Sequence, residues 1–148
     1  MKTMTLAAIG VSLLAVRADA QAPATYKSET ELVAALKAGA TTPDMQTSAV
    51  SNGDQHRINL VRRTKAAGAT AHPGFAELHH IVDGSGTLVV GGTLVRPAGG
   101  GAATIDGGTS RAVAKGDVIL IPPGMPHWYK EIAGAGTVTY LEVRWAEK

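Results

Sequence analysis

From Thr47 onward, glycine and proline interrupt the chain so often that no long helix can form there. All but Gly10 and Gly39 of the eighteen glycines lie in this stretch. A glycine in a helix interior costs ~1 kcal/mol relative to alanine and a proline ~3 kcal/mol. Between the breaks stand short β-prone runs, which predict strands at Thr47–Ser51, His56–Arg63, Glu77–Val82, Thr87–Val90, Arg111–Ala114, Val118–Ile121, His127–Ile132 and Thr137–Trp145. Eight such strands can pair as two sheets, the pattern of a sandwich or barrel. Aromatic residues make up only 4% of the chain, so Val, Ile, Leu and Ala must fill the core. The stretch from Pro97 to Ala103, with Gly99-Gly100-Gly101, reads as a loop. It is no phosphate cradle, since no Lys-Ser/Thr follows it. Ser85, in Asp83-Gly84-Ser85-Gly86, reads as part of a hairpin turn and not as a strained nucleophile.

One helix precedes the strands. Ser28 and Glu31 form a capping box, Leu32, Val33 and Leu36 share a face, and Gly39 suits the left-handed position after the last turn. This predicts a helix over Glu29–Ala38 that covers a sheet. Before it, Lys2, the apolar run Leu6 to Val16 and the small residues of Ala18-Asp19-Ala20 have the layout of an export signal. Residues 1–20 are expected to be a signal peptide cleaved before Gln21, which makes the protein exported, periplasmic or secreted. No later stretch is continuously apolar for the ~20 residues that a membrane helix needs, so no membrane partner is expected. Fourteen Lys and Arg stand against twelve Asp and Glu, a balance too even and too scattered for nucleic-acid binding. With no cysteine, disulfides, thiol nucleophiles and iron–sulfur clusters drop out, and any metal must be held by His and carboxylate.

Four of the five histidines fall in two segments, Gly68 to Gly86 and Gly116 to Tyr129. Side chains alternate along a strand, so Glu77 and His79 point the same way while His80 points oppositely. A turn at Pro73-Gly74 folds His72 back toward Glu77, and His127, after a second Pro-Gly turn, can complete the set. Tyr129 shares the His127 face, so it either lines a pocket or packs in the core. Arg57 and Arg62 are read on opposite faces, so at most one of them points inward to an anionic substrate. His56, at a strand start, reads as exposed.

These segments resemble the motifs of the cupin superfamily of small β-barrels. The second has Gly116, five residues, Pro122, one residue, Gly124, two residues and His127; the first has His72, four residues, Glu77, six residues and Gly84. The resemblance runs from about Ile58 to Val143. It implies an all-β, single-domain double-stranded β-helix (jelly-roll barrel) with one N-terminal helix: a linker and helix over 21–46 and the barrel over 47–148. It further implies His72, Glu77 and His127 as ligands of one divalent transition metal ion, Fe, Mn, Ni, Co or Zn. Thr70 stands where the family's first histidine would be, and hydroxyl is a poor ligand beside imidazole. His79 either replaces that ligand or hydrogen-bonds to substrate. Glu131, four residues after His127, is either a second pocket candidate beside Tyr129 or an exposed charge.

The expected function is that of a mononuclear metal-dependent enzyme acting on a small molecule, with a dioxygenase-type oxidoreductase first. A redox-neutral lyase, isomerase or decarboxylase and a non-catalytic binding module are the alternatives. A homodimer is expected from the resemblance, and the apolar strand Thr137 to Trp145 is either an edge that a partner can cover or an inner strand.

Overall fold

The computed structural model describes residues 23–38 and 44–147; the expected signal peptide and the helix-ending Gly39 lie outside the described residues. Helix α1 (Glu29–Ala38) has the expected bounds. Its capping box is formed: the Ser28 backbone N–H donates to Glu31 Oε2 at 2.7 Å, and the Glu31 N–H donates to Ser28 Oγ at 3.3 Å. The helix packs on β1 (Met45–Asn52) and β2 (His56–Arg63) and buries Leu36 completely, which contributes about 1.5–3 kcal/mol.

The remaining strands are β3 (Phe75–Val90), β4 (Thr93–Val95), β5 (Thr104–Asp106), β6 (Thr109–Ala114), β7 (Val118–Ile121) and β8 (His127–Ala146). Pairing is antiparallel throughout, in the order β1-β2-β8-β3-β6, with β7 also on β3 and β4-β5 as a separate ribbon. Three expectations need correction. Glu77–Val82 and Thr87–Val90 are one strand, because Asp83 to Gly86 stays in the ladder and makes no hairpin. His127–Ile132 and Thr137–Trp145 likewise join as β8. That last stretch is also not an edge: it lies between β2 and β3.

The two long strands bend in the middle. Register shifts fall between Ile81 and Asp83, between Gly84 and Ser85, and between Thr87 and Leu88. Gly84 has φ +76°, and a Cβ there would run into the carbonyl oxygen of Thr137, so only glycine fits this bulge. The bend has a direct geometric proof. His127 pairs with Val90, thirteen residues along β3 from Glu77 and ~40 Å away in a straight strand, yet its ring nitrogen lies 3.6 Å from the Glu77 carboxylate. The pair of strands therefore doubles over and closes a barrel on itself. Inside lie Val61, Ile81, Leu88, Val113, Tyr129, Val138 and Tyr140, all buried.

Candidate metal centre

The two Pro-Gly turns set the site. The Phe75 N–H donates to the His72 carbonyl at 3.2 Å, closing the first turn, and the Gly124 N–H of the second turn donates to the same carbonyl at 3.1 Å. Thr70 and His127 exchange backbone hydrogen bonds at 3.0 and 2.8 Å, so the segment before β3 is sewn to the start of β8. Glu77 and His79 follow on the inner face of β3. Three imidazoles then converge on one carboxylate: His72 Nε2 is 3.5 Å from Glu77 Oε1, while His79 Nε2 and His127 Nε2 are 3.3 and 3.6 Å from Oε2. Glu77, His79 and His127 are almost fully buried, and His72 is half-buried.

Each buried ring is oriented from behind. His127 Nδ1 lies 3.1 Å from the Met125 carbonyl, an acceptor, so that nitrogen carries the proton. His79 Nδ1 lies 3.1 Å from the Tyr129 hydroxyl, which donates to it when His79 Nε2 carries the proton toward Glu77 Oε2 at 3.3 Å. Burial lowers the pKa of His72 and of His127 and favours their neutral forms, against the opposing pull of Glu77. Burial alone would raise the Glu77 carboxyl, but the hydrogen bond of His79 and the neighbouring His127, Arg144 and His72 outweigh it and hold the group at about 2. Glu77 is thus an anion at neutral pH.

Two more inner-face residues complete the cluster. Cross-strand register puts Glu77 opposite Arg144 and His79 opposite Glu142. Arg144 Nη2 donates to Glu142 Oε1 at 2.5 Å and to His72 Nε2 at 3.1 Å. Its Nε lies 3.4 Å from Glu77 Oε1 without forming a hydrogen bond. Asn59 Nδ2 donates to Glu142 Oε2 at 3.4 Å. Two sets of ligand atoms lie within 4.8 Å of one another: His72, Glu77 and His127, and Glu77, His79 and Glu142. Glu77 belongs to both. The cluster opens into a cavity of about 610 Å³, whose walls include Met45, Val61, Ala66, Ala67, Ala102 and Tyr140.

No protein-family model matches the chain, and no curated protein matches it. Solved structures do. A candidate mannose-6-phosphate isomerase of Ralstonia eutropha JMP134 superposes with a TM-score of 0.53 at 15% identity, over 72% of this chain and 89% of that one. KdgF from Halomonas sp. gives 0.50 at 14% identity, over 73% and 85%. HppE in its Fe(II) form with bound substrate gives 0.54 at 10% identity, over 71% and 52%. This chain has the cupin fold. At such identities the likeness is one of fold, and the chemistry of this cupin barrel has to be argued from its own residues.

The structure brings His72, Glu77, His79 and His127 together, as the motif spacing and strand parity predict. It places the two pocket candidates apart. Tyr129 is buried behind His79, with its ring stacked on Tyr140 at 5.0 Å, and does not line the cavity. Glu131 is exposed and accepts a hydrogen bond from Thr87 Oγ1 at 3.2 Å, because the register shift before Leu88 breaks the parity that would have aimed it inward. His56 is exposed, as expected, beside Ser51. Neither Arg62, bonded to Thr139 Oγ1, nor the exposed Arg57 reaches the cavity; Arg63 and Arg144 do. Glu142 and Arg144 had a signal in the sequence: with Tyr140 they alternate along one strand. The neighbouring apolar residues of the opposite face hid it.

Proposed function

We propose that the chain is an exported, mononuclear metal-dependent cupin enzyme acting on a small molecule, with one divalent transition metal ion on His72, Glu77 and His127 and with His79 as a further ligand. The observation that carries this reading is the convergence of three imidazole Nε2 atoms on one buried carboxylate. The donor set fits a cation for an electrostatic reason. With its proton on Nδ1, neutral His127 turns the Nε2 lone pair toward an ionised carboxylate 3.6 Å away. Two electron-rich groups that close repel in a dry interior, and a positive ion between them removes the repulsion. Export rests on the residue pattern of 1–20.

A bound ion would supply a Lewis acid for a substrate oxygen and, as iron, a redox partner for O₂. The protein supplies the rest. Met125 and Tyr129 hold His127 and His79 in orientation, and Arg144 offsets part of the negative charge of Glu77 and Glu142. Met45, Val61 and Ala66 give the cavity apolar wall area beside the cluster. Three histidines and one carboxylate would leave up to two positions open on an octahedral ion, room for a substrate oxygen and O₂, and this supports the dioxygenase-type reading. One observation favours redox-neutral isomerase or lyase chemistry as the second reading: Glu142, a buried carboxylate in the same cavity, is placed to hold a substrate proton.

Elemental analysis of the protein purified without chelators or an affinity tag, beside His79→Ala, tests the metal. About one ion per wild-type chain and a loss in the variant are expected. A wild type that carries no metal and cannot be reconstituted would falsify the reading. Oxygen uptake then separates the two chemistries, and ligand binding without turnover would point to a binding module.

A further inference from the structure

Three carboxylates, Asp44, Glu77 and Glu142, and two guanidiniums, Arg63 and Arg144, line the cavity, and not all of them meet as ion pairs. Arg144 is spent on Glu142 and Glu77, and Asp44 is paired with Lys65 at 3.2 Å. Arg63 is different. It stands on the inner face of β2 beside Val61, half-buried, and it lines the same cavity as the histidine cluster. Among the described residues no carboxylate pairs with it. Its Nε donates to the Tyr140 hydroxyl at 3.0 Å, and its guanidinium carbon lies 5.5 Å from the Tyr129 ring centre and 5.9 Å from that of Tyr140. Those two rings are themselves stacked, so the guanidinium plane is held by aromatic faces and by one hydrogen bond.

A cation removed from water without a counter-ion is costly, and a fixed fork of N–H donors matches a carboxylate with two parallel hydrogen bonds. Holding the fork in advance removes part of the ordering cost that a flexible Lys would carry. Tyr140 links the two ends of the site. Its ring packs 4.5 Å from that of His79, so a group held at Arg63 sits one aromatic side chain away from the cluster around Glu77.

We propose that this cavity takes a small organic carboxylate, with its carboxylate on Arg63, its apolar part against Met45, Val61, Ala66 and Ala67, and its other end toward the His72, His79 and His127 cluster. This rests on the reading of the same cavity as the substrate site. The choice of an anion follows from the unpaired Arg63, and a divalent ion at the cluster would add to it. A cationic ligand would meet charge of its own sign, and a neutral one would leave Arg63 without a partner.

The test is calorimetric titration of the full chain with benzoate and hexanoate, each against its neutral amide, in wild type, Arg63→Met and Arg63→Lys, with metal content measured on every sample. Wild type is expected to favour each carboxylate over its amide at least tenfold. Arg63→Met should lose that preference while keeping its metal, and Arg63→Lys should recover part of it. Equal binding of acid and amide, no binding of any probe, or an undiminished preference in Arg63→Met each overturns the proposal. Circular dichroism of Arg63→Lys shows whether the fold survives removal of the stacked guanidinium, and its partial recovery would rule out a merely structural role. A wild type without metal that still prefers the carboxylates through Arg63 supports the anion site and sinks the metal reading. A metal-loaded wild type blind to the charge of the probe does the reverse.

Discussion

The two halves of the β3–β8 pair follow one alternation rule and bury opposite contents. On one side of the Gly84 bulge, the inner face carries Glu77, His79, Glu142 and Arg144; on the other it carries Leu88 and Tyr129, with His127 at the end. Glu77 and His79 are as deeply buried as Leu88 and Tyr129, so burial does not decide polarity here; partners do. Every buried charge in the first half has an ion pair or hydrogen bond within the cluster, whereas the second half needs none. Stability in such a barrel comes mostly from the apolar half, because buried ion pairs repay their desolvation only partly. The polar half adds little to stability.

The contrast can be broken in order of effect. Leu88→Ala, in the apolar half, should lower the unfolding free energy by about 2–5 kcal/mol in urea titration while the folded fraction keeps its metal. A parallel loss of metal would mean that the halves are not separable. Glu77→Gln keeps the shape but removes the charge, and should weaken metal binding about a hundredfold, roughly 2.8 kcal/mol, in a chelator-competition assay. A variant with wild-type affinity would show that the carboxylate is not the focus of the cluster. Tyr129→Phe, at the boundary between the halves, removes the hydroxyl behind His79 and should cost about tenfold in metal affinity, since partners behind a ligand are worth about that much. Glu131→Ala, outside both, should change stability by less than about 0.5 kcal/mol and leave metal binding alone.

How much of this was readable from the residues follows the same division. The helix bounds, β2, β7 and both Pro-Gly turns agree with local rules, since capping, turn chemistry and period-two alternation act within a few residues. The meeting of His72, Glu77 and His127 followed from turn positions and motif spacing. What failed were statements that depend on bulges. A bulge reverses parity for everything beyond it, so Glu131 went from pocket candidate to surface residue, and the run around Gly84 passed for a hairpin. Arg63 shares β2 with Arg57 and Arg62, and alternation alone does not say which of the three reaches the cavity. Arg144 was masked by the apolar face of β8.

The bend in the long strands also determines when the site can exist. His79 and Tyr129 are 50 residues apart in the chain, and His72 meets Arg144 across 72 residues. Closing loops of that length is slow, and no local fragment contains the whole cluster. A nascent or partly opened chain keeps His72, Glu77 and His79 near one another but lacks His127, so its grip on an ion should weaken with the first parting of β8 from β3. Metal release then becomes a clock for the opening of the barrel.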